Sequence, residues 1–244
     1  MVKKYYSINT EFIAVVEDGS IKMGNPIDLA MPCVHLDVSI QDSTISLQNL
    51  THDESCNITN DLPHGEVGTV RMLKLAILFT HTLFPSCHKI YLQDTSGYHD
   101  HRFGPVDLST KDMCLFKRTW YQRQLESLNL RPLTSLGKQL VNKYIRVLDS
   151  KPTASAKKHL GLFAPTVHES IQSFPEPKYI KILELLRTYH LPPLFGLEWV
   201  GVLHPQMFDL TLSYQKIKKP SGLKAQWGGK RGTGERPHLI NMVY

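Results

Sequence analysis

Residues 65–132 constrain this chain more than any other stretch. A glycine-bearing turn (Gly65, Gly68) opens a run in which Val70, Leu73 and Ile77, with Leu75, Phe79 and Leu83 beside them, recur at helical spacing. Pro85 ends that run, and residues 89–93 then alternate as a short strand with Ile90 and Leu92 on one side. A second helix is expected after a His-rich loop, with Met113, Phe116, Trp120 and Tyr121 along one face. Ser109 or Thr110 would cap it, with Asp112 in its first turn. The unit is helix, strand, helix.

Upstream, Val34, Leu36, Val38 and Ile40 alternate with polar residues, a turn follows at 41–43, and Ile45 and Leu47 begin a return strand. Residues 34–50 therefore read as a hairpin with one buried face. Before it lie two weakly apolar runs, 5–12 and 13–16, and a third at 21–23 beyond the turn Asp18-Gly19. Downstream, Leu136, Leu140, Tyr144 and Val147 predict a third helix over 136–148, and 150–158 reads as a linker. Shorter helices are expected at 165–173 and 177–190, and strands at 197–203 and 209–217. From 218 onward glycine, proline and lysine dominate without periodicity. Strands first, then alternating helix and strand, predict an α/β fold with a mixed sheet. The expected organisation is an α/β domain over 1–132, a helical extension with late strands over 133–217, and a basic Gly/Pro-rich arm over 218–244.

Of the 244 residues 41% are hydrophobic and 20% charged, as in an ordinary globular protein, and no run reaches the length of a membrane span. The formal charge of +6 is unevenly placed: seven Lys/Arg and one acid fall between Lys216 and Arg236, and the remaining 21 basic and 21 acidic residues balance. The opening MVKKYYSINTEF has no apolar core of a secretory signal. The four cysteines show no CxxC pairing and are expected to be reduced core thiols.

The order hairpin, glycine turn, helix, strand, loop, aromatic helix over 34–132, with Asp94-Thr95-Ser96 and Thr119-Trp120-Tyr121, resembles the core of the GNAT N-acetyltransferase superfamily. It resembles more closely a group of uncharacterised proteins of giant DNA viruses, which often carry such a "TWY" helix. The resemblance implies a GNAT-like sheet and acetyl-CoA as the possible cofactor. Its pyrophosphate would lie at Gly65, Val67, Gly68, Thr69 and Val70, because the first N–H groups of a helix are unpaired and its dipole end is positive. Tyr121 would be the general acid for the thiolate leaving group. Neither glycine register satisfies the family's Q/R-x-x-G-x-G/A pattern, Glu66 brings a negative charge to the cradle, and none of His52, Asp53 or Glu54 stands out as a base. The resulting expectation is a viral interaction or structural protein on a degenerate acetyltransferase-like scaffold, located in host cytoplasm or virion and not secreted. The alternative is an acetyl-CoA-dependent N-acetyltransferase.

The arm supplies the attachment. Lys216, Lys218, Lys219, Lys224, Lys230, Arg231 and Arg236 with Trp227 fit nucleic-acid phosphates and one stacking group. They equally fit an arm that orders on a protein partner, anchored by Leu239, Ile240, Met242, Val243 and Tyr244, and the plain reading is a disordered solubilising tail. His99 and His101, with Asp100, His88 or His81, form a metal-site candidate whose plain reading is a solvated loop. His35 and Asp37 lie on the polar face of a strand, as a site or simply as exposed residues, and the exposed reading is preferred. The Phe116–Trp120–Tyr121 stripe reads as core, with Lys117, Arg118, Arg123 and Arg131 on the wet face. There is no GxSxG, Walker loop or HExxH.

Overall fold

Two tight turns set the first three strands. In the computed structural model, which describes residues 3–25, 32–51, 68–100, 104–176 and 178–221, β1 (Lys4–Ile8), β2 (Phe12–Glu17) and β3 (Ser20–Gly24) form an antiparallel meander. Asp18 and Gly19 link Glu17 to its partner Ser20 with φ of +47° and +78°, the left-handed pair whose twist matches that of the strands it joins. β4 (Val34–Ser39) and β5 (Thr44–Leu50) form the expected hairpin. Its register shifts between His35 and Leu36, so β5 carries one extra residue, Gln48.

The periodic apolar run becomes α1 (Gly68–Leu83), which packs on β3 and β4. It returns the chain to β6 (Lys89–Asp94), which lies parallel to β5 as such a crossover requires. The parallel pairing runs from Thr44 with Lys89 to Leu47 with Leu92 and ends there, although both strands continue. The expected loop at 95–107 contains a small hairpin, β7 (Gly97–Asp100) and β8 (Gly104–Asp107). Gly97 is needed in it, because a Cβ there would lie 2.9 Å from the Val106 carbonyl oxygen.

The expected second helix is two helices, α2 (Leu108–Phe116) and α3 (Trp120–Gln124). Lys117 adopts φ +56° and closes α2. Thr119 then starts α3 through a reciprocal capping box with Gln122. A 3₁₀ turn (Glu126–Leu128), the short β9 (Arg131–Pro132) and α4 (Ser135–Asp149) follow. The expected linker at 150–158 is largely helical, as α5 (Ala154–Leu160), capped by Thr153 and ended by Gly161 at φ +69°. After α6 (Val167–Gln172), α7 (Tyr179–Thr188) and β10 (Leu197–Val202), only Tyr214–Ile217 of the late strand forms, as β11.

The fold is mixed α/β. Hydrogen bonds order nine strands β11-β1-β2-β3-β4-β5-β6-β10-β9, with β7 and β8 apart. The chain divides into two compact units. The first is Met1–Leu92, Ser127–Asn129 and Val200–Tyr244; the second is Gln93–Glu126 and Leu130–Trp199. The core of the first holds fully buried Ile8, Ile21, Met23, Leu36, Ile45 and Phe79, with Tyr6, Phe79 and Tyr214 in edge-to-face contact at 5.2–6.1 Å. The second packs Met113, Tyr144, Leu148, Ile171, Ile182 and Leu185 between its helices.

The expectation of four reduced thiols is corrected at one position. Cys87 and Cys114 are free and buried, whereas Cys33, just before β4, is disulfide-bonded. Thiol titration of the denatured, unreduced protein should therefore count two of the four cysteines. A count of four would contradict the disulfide.

Candidate functional site

The densest buried polar cluster of the second unit begins at the end of β6. Alternation places Ile90, Leu92 and Asp94 on one face, and all three are buried, so the carboxyl of Asp94 follows its apolar neighbours inward. Asp94 is 0% exposed. Its Oδ1 accepts from the Ser96 hydroxyl at 2.5 Å and the Ser96 N–H at 3.2 Å, and Ser96 Oγ lies 3.5 Å from Ser109 Oγ. Among the described residues its Oδ2 and the Nε1 of Trp199 are buried without a partner at full hydrogen-bond geometry, although the Ser109 hydroxyl is near enough to bear on the carboxylate. Burial pushes the Asp94 carboxyl up to about 6, and the charge of Asp107 adds to this; the bonds from Ser96 and Ser109 oppose it.

Tyr121, on α3, is 4% exposed, with Trp120 edge-on to it at 4.9 Å. Burial first, then the charge of Asp94, hold its phenol well above the ordinary tyrosine range. Neither effect helps it release a proton.

Asp107 is the true cap of α2, in place of the expected Ser109 or Thr110; both of those lie inside the helix. Its Oδ1 accepts from Thr110 N–H at 3.2 Å, and its Oδ2 accepts from the Thr110 hydroxyl and from Phe195 N–H at 3.1 Å. Thr110 Oγ1 in turn accepts from Leu194 N–H at 2.7 Å. Asp112 is pushed up by burial and pulled back by Arg123, whose guanidinium donates to Asp112 Oδ2 at 2.6 Å and lies 3.9 Å from the centre of the Phe116 ring. Phe116 itself is 47% exposed, so it does not continue the buried stripe of Trp120 and Tyr121. Lys117 and Arg118 pair with Asp149 and Glu126 on the wet side.

The expected cofactor cradle is only partly visible. Gly68, Thr69 and Val70 form the buried first turn of α1, while Gly65 and Val67 lie outside the described residues. One residue further, Arg71 holds Glu11 through two bonds of 2.9 Å. Lys216 on β11 and Lys218 and Lys219 beyond it are exposed; Lys224, Trp227, Lys230, Arg231 and Arg236 lie outside the described residues, as do His52, Asp53, Glu54 and His101.

His81, His88 and His35 make local hydrogen bonds, and the side chain of His99 lies outside the described ones. His81 is buried and donates from Nδ1 to the Cys87 carbonyl at 2.8 Å. His88 Nδ1 lies 3.1 Å from the Ser86 carbonyl. His35, expected to be exposed, is half-buried, and its Nε2 lies 2.8 Å from Ser20 Oγ and 3.2 Å from Asp37 Oδ1. Both contacts use the same ring nitrogen, so Ser20, His35 and Asp37 do not form a relay in which one nitrogen is oriented while the other acts as base. Among the described residues no group of three or more metal-ligating side chains converges.

Comparison with protein-family models, with curated proteins and with solved structures finds no match to this chain. Among the described residues no helix is long and apolar enough to cross a membrane.

The buried carboxyl gives a pH signature. The folded state binds the Asp94 proton up to about 6, whereas the unfolded chain releases it near 3.8, so folding stability should fall as pH rises through that window. The loss attributable to Asp94 is roughly 3 kcal/mol. Urea denaturation between these limits should show it in the parent protein and lose it in Asp94→Asn; an unchanged slope in the variant would refute the assignment.

Proposed function

We propose that this chain is an attachment protein, viral in origin and acting in host cytoplasm or virion. It is built on an acetyltransferase-type scaffold whose acyl-transfer chemistry has been lost, and it holds a protein or nucleic-acid partner through the basic segment that starts at Lys216. The observation that carries the reading is the enclosure of Tyr121. This residue has the one chemical task that acetyl transfer would assign here, yet its phenol is buried and its proton is held more tightly than in a free tyrosine. A general acid must reach the leaving atom and give up its proton.

Two features support the scaffold. α1 carries the chain from β5 to a parallel neighbour, β6, in the order that the resemblance implies. Later, β10 bonds to β6 and to β9, with Gly196 N–H donating to the Asp94 carbonyl at 2.7 Å and Leu133 N–H to the Glu198 carbonyl at 2.9 Å. The attachment side rests on charge. β11 ends the sheet order, and Lys216, Lys218 and Lys219 are exposed where the basic segment begins. Lysine on an edge strand discourages indiscriminate strand pairing and leaves a positive surface.

The acetyl-CoA-dependent N-acetyltransferase is the competing reading, and one observation favours it. α1 has no acidic residue in its first turn, at Gly68, Thr69 and Val70, and the positive end of a helix dipole suits an anion.

Titration calorimetry with acetyl-CoA and with coenzyme A separates the two. The proposal expects no heat up to about 1 mM ligand, the weak limit of specific affinity. Binding near 1 μM, together with turnover that Tyr121→Phe abolishes, would overturn it in favour of the enzyme. Deleting 218–244 should leave the circular dichroism of the body unchanged and abolish partner binding; equal binding by the truncated chain would refute the attachment role.

A further inference from the structure

The balanced charge of the chain outside its C-terminal segment hides a local imbalance. From residue 138 to 158 there are six cations, Lys138, Lys143, Arg146, Lys151, Lys157 and Lys158, against one acid, Asp149. That acid already accepts from Lys117 Nζ at 2.5 Å. Lys143 Nζ donates to the His190 carbonyl at 2.7 Å. The other five cations are exposed, and among the described residues none has a carboxylate within 4.0 Å.

Their placement follows from helix geometry. Lys138, Asn142 and Arg146, four apart, line one stripe of α4, while Tyr144 and Leu148 on the far side are buried. Lys151 lies in the short connection, and Lys157 and Lys158 fall in the last turn of α5. The dipole of α5 explains why cations suit its last turn. The C-terminal end of α4 likewise suits Arg146 and Lys151, but neither dipole explains Lys138, near the N-terminus of α4.

A second, independent feature lies at the end of this stretch. Gly161 closes α5, and the ring of Phe163 turns back toward it: Cε2 is 3.8 Å from where a Gly161 Cβ would sit. Phe163 is 79% exposed, the highest value among the large apolar side chains of the described residues, and between residues 138 and 163 it is the exposed one of that class. An apolar ring left in water beside Lys157 and Lys158 is not core, and a single ring lacks the surrounding apolar contacts that make a protein hot spot. A ring offered singly among cations matches a strand of phosphates carrying bases that stack.

We propose that the exposed cations between Lys138 and Lys158 and the ring of Phe163 form a binding surface for single-stranded nucleic acid. The cations meet successive phosphates, and Phe163 stacks on one base. Recognition is through charge and stacking, so the surface tolerates any sequence. It lies in the second unit and is independent of the basic C-terminal segment.

The test is fluorescence anisotropy of the full chain with a labelled oligouridylate of about 20 nucleotides, titrated across salt from about 50 mM upward. The expected result is that Lys151→Glu, Lys157→Glu and Lys158→Glu combined weaken binding at least tenfold and flatten the plot of log affinity against log salt by about 2. Phe163→Ala should weaken binding by about tenfold and leave the salt slope unchanged. With residues 222–244 deleted, binding should persist and still respond to these substitutions, so that failure of this surface and failure of the C-terminal attachment read differently. The proposal is overturned if the substituted chains bind like the parent, if the deletion alone removes all binding, if the full chain fails to bind at the lowest salt, or if phosphatidylserine vesicles bind through the same residues in preference to the oligonucleotide.

Discussion

The irregular segment from His190 to Gly196 is where the second unit is tied together. It has no ladder of its own, so its main-chain groups find their partners elsewhere. It finds them on four elements. Lys143 and Tyr144 of α4 donate to the carbonyls of His190 and Pro192, at 2.7 and 2.5 Å. Thr110 of α2 accepts from Leu194 N–H, Asp107 from Phe195 N–H, and the Asp94 carbonyl from Gly196 N–H. Each bond is worth on the order of 1 kcal/mol net, and leaving the buried Leu194 N–H without its partner would cost about 1–3 kcal/mol. Asp107 therefore both caps α2 and fixes the approach to β10.

That arrangement places carboxylates close to one another in the interior. Asp107 is held by its cap and by Phe195, and its charge helps push up both Asp94 and the Cys114 thiol, the latter to about 12, although burial is the larger cause in each case. Asp94 then bears on Tyr121. A site adapted to proton transfer usually separates the proton affinities of two groups so that one gives and the other takes. Here burial moves Asp94, Tyr121 and Cys114 in one direction, each toward its neutral form. Groups shifted the same way suit a structural interior better than a proton relay.

Much of this was legible in the residues, and the misses have local causes. The spacing of Val70, Leu73 and Ile77 is enough to call α1, and the alternation of Val34, Leu36 and Val38 is enough to call β4. The break at Lys117 is hidden because lysine and arginine favour helices; its signal is Thr119 with Gln122 three residues on, a start motif inside what looked like one helix. In the same way Thr153 and Gly161 bracket α5 within a stretch whose composition suggests a linker. Asp94 looked like the polar end of a strand, yet its phase with Ile90 and Leu92 puts it on the buried face. Composition misled where periodicity was right.

Charge is the property that averaging obscures most. A count of basic and acidic residues over the body comes to zero, and the zero is formed by paired charges in one place and an unpaired excess in another. Arg71 with Glu11, Arg123 with Asp112 and Lys117 with Asp149 cancel at contact distance. Among the described residues the exposed cations of α4 and α5 have no carboxylate within 4.0 Å, and charges further off are screened over a length of about 8 Å at physiological salt. The field such residues project depends on their local balance, because acids elsewhere on the surface are screened before they can offset it. A neutral body is thus no argument against a polyanion partner, and the relevant question is which stretch of surface keeps its charge unpaired.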